Sequence, residues 1–384
     1  LTSGPAHRWC YGGEMVDKPI FLNQQCEERT HRVWMGSLDY QFNIGNNSSL
    51  VVYAAAQHTG RNHYTGTLPD DSLALEQHLL NPPYGSSVTS TLQGGFQVNH
   101  RLENFPLGTN TITLGAEFVS DKTLDEIPAY RYKVDQHTKD LGIILQSDWK
   151  MFGNLNLLAG TRIDRHNLVN KTVASPRVAL MYKIKDLYQL RASYGTGFRA
   201  PQAFDTDLHI AFAGGGISRV QLASGLKEER SESVSFSLNY DKATENIIYG
   251  YTIEGFDTKL TNAFTLVNIG QDNFGEIFEK QNGQSARVRG LTIELRTNYK
   301  KRVQVESGFT IQTSRYATAV KYVDGVDASR QFLRTPNQYG YASVTASVGK
   351  RISANLGYVY TGKMSIAHFA GAPNQLKDEI SVSA

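Results

Sequence analysis

The sequence predicts an all-β protein, a transmembrane antiparallel β-barrel of which about 14 strands are present. Three observations predict this class. Segments of about nine residues or more alternate apolar with polar side chains. The connections between these segments alternate between short and long. Residues typical of strands and turns are abundant, with 20 Tyr, 17 Phe and 34 Gly among 384 residues.

The alternation is clearest in residues 231–240. Val234, Phe236 and Leu238 fall on one face of this segment, whereas serines occupy most of the other. Similar patterns recur along the chain and predict fourteen strands, at 30–43, 49–59, 88–102, 111–120, 139–149, 154–166, 174–184, 188–198, 231–240, 246–258, 291–299, 303–313, 339–348 and 352–360.

The connections predict how the strands are arranged. Short polar turns are predicted at 44–48, 103–110, 150–153, 185–187, 241–245, 300–302 and 349–351. Long connections lie between them, at 60–87, 121–138, 199–230, 259–285 and 314–338. Antiparallel neighbours joined in this way collect all short turns at one end of the sheet, as in outer-membrane barrels. The alternative is a soluble sandwich or propeller, which would have strands of about five residues and connections of mixed length.

Charge and hydropathy narrow the functional classes. The formal net charge is +3, from 39 basic and 36 acidic residues, and gives no reason to expect a nucleic acid partner. A mean hydropathy of −0.37 is compatible with membrane strands, because only one face of each needs to be apolar. The sequence has no GxSxG, HExxH or P-loop motif, so we expect neither an enzyme nor a resident cofactor.

The two ends and the two cysteines lead to further expectations. The chain begins at Leu1 without a signal peptide and ends at Ala384 in an alternating segment, so we expect an internal fragment. Cys10 and Cys26 fit one disulfide in an oxidising compartment, and two unpaired thiols are the alternative. A closed loop of about 15 residues would contribute roughly 3 kcal/mol in the chain-entropy model.

Residues 189–204 read QLRASYGTGFRAPQAF and carry a family resemblance. They resemble the barrel signature of TonB-dependent outer-membrane receptors, in which a strand ends in GxGFRAP before a long loop. The matching residues are Gly195, Gly197, Phe198, Arg199, Ala200 and Pro201. Segments 155–164, 225–240 and 332–341 are similar to other barrel strands of that family, although Glu228 stands where Pro is usual. The style of the long loops looks closest to receptors of the Bacteroidetes.

The GxGFRAP residues also have a physical interpretation of their own. Gly195 and Gly197 leave room for a close approach of another chain segment. Pro201 removes a backbone donor where the strand ends, and Arg199 is a fork-shaped donor that would be able to face a plug. We expect the main role of these residues to be structural, namely to end the strand in a turn.

The resemblance implies a barrel of 22 strands, a plug domain folded inside it, and a Ton box through which the TonB–ExbB–ExbD complex acts. It implies that residues 1–29 are an extracellular loop, where a Cys10–Cys26 disulfide is chemically reasonable. Outer-membrane lipid would surround the barrel. An ungated porin or an adhesin barrel is the alternative of a different class.

The family imports scarce nutrients, so the resemblance implies a ferric siderophore as cargo, followed by haem or cobalamin. The case for haem as cargo is weaker, because haem receptors of the family usually carry an NPNL motif after this loop, whereas the sequence reads ASGL at 223–226. Arg and aromatic side chains in a loop would suit an anionic chelate. The candidate ligand-binding residues are His58, Arg61, His63 and Tyr64, together with Asp205, Asp207 and His209. Solvated loop residues are the alternative interpretation of both groups.

Overall fold

The structure is a computed structural model, and it describes residues 25–67, 73, 76, 79–202, 219–272, 275–320, 328–349, 351–370 and 377–383. Four of the predicted site residues lie outside these ranges, namely Cys10, Asp205, Asp207 and His209. The described strands are, in chain order, β1 Gln25–Ile44, β2 Ser48–Thr67, β3 Tyr84–Phe105, β4 Gly108–Ile127, β5 Tyr132–Met151, β6 Leu155–His166, β7 Val173–Ile184, β8 Tyr188–Arg199, β9 Arg219–Leu222, β10 Glu229–Ala243, β11 Ile247–Thr261, β12 Phe264–Asp272, β13 Gly275–Asn282, β14 Ala286–Tyr299, β15 Val303–Val320, β16 Ser329–Gln331, β17 Gln338–Val348, β18 Ile352–Thr361, β19 Met364–Ala370 and β20 Lys377–Ser383.

One large antiparallel sheet dominates the molecule. Its strand order is β1-β2-β3-β4-β5-β6-β7-β8-β10-β11-β14-β15-β17-β18, with β16 paired to β15. Each strand on this path corresponds to one of the fourteen that alternation predicts, so the predicted all-β class is confirmed. Strands β9, β12 and β13 form a separate three-stranded sheet, and β19 pairs with β20. Alternation did not predict β9, β12, β13, β16 or β19, whereas β20 overlaps the alternating segment at the end of the chain.

The first five strands are longer than predicted. They run 20 to 22 residues, so the predicted long connection at 121–138 is largely strand, and the one at 60–87 is strand at 60–67 and 84–87. β4 and β5 stay in register until they meet at the short helix Pro128–Tyr130. The hydrogen bonds between β4 and β5 continue beyond the point where the apolar alternation stops. Near their connection the two strands are also joined by polar pairs such as Lys133–Glu126 at 2.8 Å. A strand of 20 residues spans about 68 Å, far more than the roughly 30 Å hydrocarbon core.

β1 also starts earlier than predicted, at Gln25. Residues 25–29 therefore lie in a strand and not in the leading loop, and Cys26 is among them. The disulfide between Cys26 and Cys10 stays a prediction.

The sheet has an apolar and a polar face. One row of register partners runs Tyr40, Val52, Phe96, Ala116, Ile143, Ile163, Ala174 across seven strands. The parallel row on the opposite face runs Tyr53, Gly95, Glu117, Gly142, Asp164. Large apolar side chains of the first face are exposed, for example Leu145 at 52 %. Membrane barrels turn the apolar face to lipid and the polar face to the lumen, and we call these the outer and inner faces.

The two ends of the sheet also differ. The end with turns such as 185–187 and 300–302 is called the turn end, and the opposite end is called the loop end. At the turn end the outer face carries tyrosines whose rings pack together, with the ring centroids of Tyr188 and Tyr251 at 4.8 Å and 5.3 Å from that of Tyr240. Tyrosines in this position are typical of the aromatic girdle at a membrane interface.

Candidate functional site

Six polar side chains on the inner face of β2 to β6 contact one another, and we call them the wall network: Tyr53, Gln93, Glu117, Asp140, Arg162 and Asp164. The Glu117 carboxylate accepts hydrogen bonds from the Tyr53 hydroxyl at 2.5 Å and the Gln93 amide at 2.9 Å. Arg162 donates to Glu117 at 3.0 Å, to Asp164 at 2.6 Å and to Asp140 at 3.4 Å. One guanidinium therefore joins carboxylates from three strands.

Two glycines make this close packing possible. A Cβ on Gly142 would lie 2.5 Å from Cζ of Arg162. A Cβ on Gly95 would lie 2.8 Å from the Tyr53 hydroxyl oxygen. Real side chains do not approach so closely, so both positions need glycine for the Tyr53 and Arg162 side chains to lie along the wall.

The wall network presents negative charge to the lumen. Its three carboxylates exceed its one guanidinium, and the Arg162 side chain is 31 % exposed. A basic segment of a partner inside the barrel would complement this charge. The network was not predicted from the sequence, although Arg162 and Asp164 lie in segment 155–164, which carried part of the resemblance.

The GxGFRAP residues lie at the loop end, where β8 ends at Arg199. Ala200 is buried with Val169 and Val173, and Phe198 packs against this cluster. A Cβ on Gly197 would lie 3.0 Å from the Ser231 hydroxyl oxygen, which is a tight contact. The corresponding distance at Gly195 is an ordinary 3.8 Å, so no described neighbour requires a glycine there.

The same residues connect the main sheet to the three-stranded sheet, which we call the loop sheet. The Arg199 guanidinium lies 5.1 Å from the ring centre of Phe264, the first residue of β12. The Lys280 ammonium of β13 lies 5.0 Å from the same ring and donates to the carbonyl of Gln202 at 2.8 Å. Arg199 also pairs with Glu229 at 3.3 Å. The structure thus describes contacts of Arg199 with Phe264 and Glu229 at the loop end. The expectation that Arg199 faces a plug stays a prediction.

Glu228 has a clear structural role beside this junction. Its buried carboxylate pairs with Lys171 and with Arg230, each at 3.0 Å. Burial disfavours the charged form, but hydrogen bonds from Lys171 and Arg230 outweigh it and hold the pKa of Glu228 below its ordinary value. The Glu that departs from the usual Pro thus ties the start of β10 to the 167–172 connection.

Acid is expected to weaken this junction. Because the pKa of Glu228 is lowered on folding, its stabilising effect is complete above the ordinary pKa of 4.5 and is lost as pH falls through the lowered pKa. Hydrogen exchange of the β8 and β10 ends, measured from pH 6 to pH 3, should show the loss after correction for intrinsic exchange. Glu228→Gln should remove about 1–3 kcal/mol at pH 6 and flatten the pH response. An unchanged pH response in that variant would contradict the assignment.

The predicted ligand-binding residues at 58–64 do not form one loop cluster, because they lie on β2 and alternate between its faces. His58 and Tyr64 follow the outer face, where His58 contacts the Ser90 hydroxyl at 2.9 Å. Tyr64 is fully buried, with its ring centroid 5.2 Å from that of Tyr84.

Arg61 and His63 follow the inner face. The Arg61 guanidinium lies 3.7 Å from the fully buried carboxylate of Asp125, and the buried Tyr132 side chain interacts with the same carboxylate. The His63 ring occupies the space that a Cβ on Gly85 would fill. Because Asp125 already balances its charge, Arg61 is less able to bind an anionic cargo than an Arg in an open loop.

The described part of the chain offers neither a metal cluster nor a membrane-spanning helix. In that part no group of three or more His, Cys, Asp or Glu residues is arranged to hold a metal ion. Among the same residues, no helix is long and apolar enough to cross a bilayer.

Comparison with known families decides the class. The family model described as "TonB dependent receptor-like, beta-barrel" matches residues 16–378. The chain belongs to this family. Its barrel therefore lies in the outer membrane, as the alternation and the turn pattern predicted.

Solved structures of two receptors and an outer-membrane transporter share the fold of this chain. The ferric-catecholate import receptor Fiu of E. coli K12 has a TM-score of 0.66 at 11 % identity, with 88 % of this chain and 54 % of that chain covered. The outer-membrane transporter YddB of E. coli has a TM-score of 0.65 at 12 % identity, with 94 % and 56 % covered. The siderophore receptor PirA of Acinetobacter baumannii has a TM-score of 0.63 at 14 % identity, with 93 % and 54 % covered.

Two curated proteins are related in sequence to this receptor barrel. The iron-regulated outer membrane virulence protein of Vibrio cholerae is 24 % identical over 268 residues, which are 67 % of this chain and 39 % of that protein. The vitamin B12 transporter BtuB of Vibrio vulnificus is 24 % identical over 168 residues, 42 % of this chain and 27 % of that protein. The chain thus spans about half of the solved structures and less of the curated relatives.

Proposed function

We propose that this chain is the barrel wall of a receptor that imports a scarce nutrient in a TonB-dependent way, with a ferric siderophore as the first candidate cargo. The match of the family model over residues 16–378 carries the proposal. Similarity to a ferric-catecholate import receptor and to a siderophore receptor supports iron as the first candidate. Similarity to a vitamin B12 transporter keeps cobalamin as a candidate, and haem stays a third.

The proposal includes partners inside and below the barrel. A plug domain would fill the lumen, and the TonB–ExbB–ExbD complex would act on it through a Ton box. The excess of carboxylates in the wall network supports a plug that places a basic residue near Glu117 and Asp140. We propose no catalytic activity.

The residues that contact the cargo would lie at the loop end of the barrel. On the inner face Arg61 and His63 remain candidates, whereas His58 and Tyr64 follow the outer face and are not proposed further as contacts. Asp205, Asp207 and His209 remain candidates in the connection after β8. Cys10 and Cys26 would fasten the leading segment to the start of β1.

Uptake by cells that carry the complete gene tests this function. We expect TonB-dependent uptake of at least one labelled ferric siderophore, and a loss of about tenfold or more when TonB is deleted. Cobalamin and haem are measured in parallel to rank the cargo. Uptake of all three at equal rates without TonB would reject the proposal and favour an ungated porin. Equal expression of the barrel in both strains is the control.

A further inference from the structure

The outer face carries a group of cations near the loop end, and we call it the basic patch: Lys259 of β11, Arg287 and Arg289 of β14, and Arg315 of β15. Lys259 is the register partner of Arg287, and Arg287 is the register partner of Arg315. The three therefore lie side by side on adjacent strands, about 5 Å apart at the backbone. All four side chains are exposed.

The height of the basic patch follows from the aromatic girdle. On the outer face of β14, Tyr299 lies at the turn end, and Leu295, Ile293 and Leu291 follow toward Arg289. A tilted strand needs about 9–11 residues to cross the hydrocarbon core. Eleven residues counted from Tyr299 toward the loop end reach Arg289. The patch therefore borders the apolar band at the level of the outer-leaflet head groups.

An apolar groove of about 630 Å³ lies directly below the patch. Its outer-face lining includes Phe236, Leu291 and Ile311, with Arg289 and Asp257 at its upper end. Gly255 forms part of its floor, and a Cβ on that residue would have no neighbour within 4 Å. The missing side chain at Gly255 thus leaves a depression in the lipid-facing surface.

Three of the four cations in the basic patch have side-chain donors that no described protein group accepts from. Arg287 pairs with Asp257 at 2.6 Å. Among the residues that the structure describes, the side chains of Lys259, Arg289 and Arg315 form no hydrogen bond or ion pair with the protein. Four cations against the nearby Asp257 and Glu232 leave a formal excess of two positive charges. Guanidinium groups bind phosphate oxygens by paired hydrogen bonds.

We propose that the basic patch and the groove together form a binding site for lipopolysaccharide. One acyl chain would lie in the groove over Gly255, and the phosphates of the lipid A head group would contact the patch. The excess of two positive charges spread over three strands suits a head group with two phosphates. A glycerophospholipid with a single phosphate would engage only part of the patch.

Lipid retention by the full-length protein, purified from outer membranes in mild detergent, tests the site. Mass spectrometry and phosphate analysis would give bound lipopolysaccharide and glycerophospholipid per barrel. We expect about one retained lipopolysaccharide in the wild type, and at least a fivefold loss when Lys259, Arg287, Arg289 and Arg315 are all changed to Ala. Lys300→Ala with Lys301→Ala, at the turn end, is the matched control and should retain the wild-type amount.

A second variant tests the groove separately from the charges. Gly255→Phe fills the depression but leaves every cation in place, and the open space around Gly255 should allow the barrel to fold. We expect a loss of lipopolysaccharide of at least threefold, with an unchanged heat-induced band shift of the folded barrel. Equal retention in all variants, or selective retention of glycerophospholipid, would overturn the proposal. Neither result bears on TonB-dependent uptake, which the transport experiment measures separately.

Discussion

Replacing Arg162 with alanine is expected to destabilise the barrel by about 2 kcal/mol. Removing one partner of a buried ion pair costs roughly 3–5 kcal/mol, and the partial exposure of Arg162 lowers this figure. The change leaves Glu117, Asp140 and Asp164 close together without their shared cation, and Asp164 is almost fully buried. Urea unfolding of the full-length barrel in lipid vesicles measures the effect.

The controls separate the loss of the network from the loss of any inward-facing arginine. Arg177→Ala removes an exposed side chain of the inner face that contacts Gln146, so we expect a change below about 1 kcal/mol. Adding Asp164→Asn to Arg162→Ala should restore part of the lost stability, because it removes one uncompensated charge. Equal stabilities of wild type and Arg162→Ala would show that the wall network does not hold β2 to β6 together.

Replacing Lys280 with methionine is expected to loosen the loop sheet without affecting the barrel wall. The ammonium is buried, donates to the Gln202 carbonyl and lies over the Phe264 ring. Losing a buried hydrogen bond costs about 1–3 kcal/mol, and losing a cation–π contact about 0.5–2 kcal/mol. Hydrogen exchange in Phe264–Asp272 and Gly275–Asn282 should therefore accelerate about 10- to 100-fold.

A neighbouring lysine provides the matched control for this change. Lys227 is exposed, and its described contacts with Asn282 run through its backbone. Lys227→Met should leave exchange in β12 and β13 within about twofold of the wild type. If Lys280→Met also leaves these strands unchanged, the junction between the GxGFRAP residues and the loop sheet does not depend on Lys280.

The wall strands were predictable because their signal is local. In 231–240 the side chains of Val234, Phe236 and Leu238 reveal the lipid-facing side without knowledge of any neighbour. The end of β4 and the start of β5, next to their connection, lack this signal, because both faces of the strands carry polar residues there. β12 was missed because its sequence does not alternate beyond Leu266, and all of its residues from Val267 to Asp272 are exposed.

The candidate site was less predictable than the wall because side-chain contacts depend on register. Tyr53, Glu117 and Arg162 are far apart in sequence and meet only because five strands align. The residues at 58–64 illustrate the reverse case. They are close in sequence, yet strand alternation puts His58 and Arg61 on opposite faces.

The strand order of the main sheet also has a consequence for how the protein folds. Most pairings in the wall join strands separated by turns such as 45–47 or 185–187, so their loop-closure entropy is small. The parallel pairing of Ile277 with Arg219 instead joins positions roughly 60 residues apart. Contacts of such high sequence separation form slowly. The wall should therefore assemble first, hairpin by hairpin, and the loop sheet should close over an already inserted barrel.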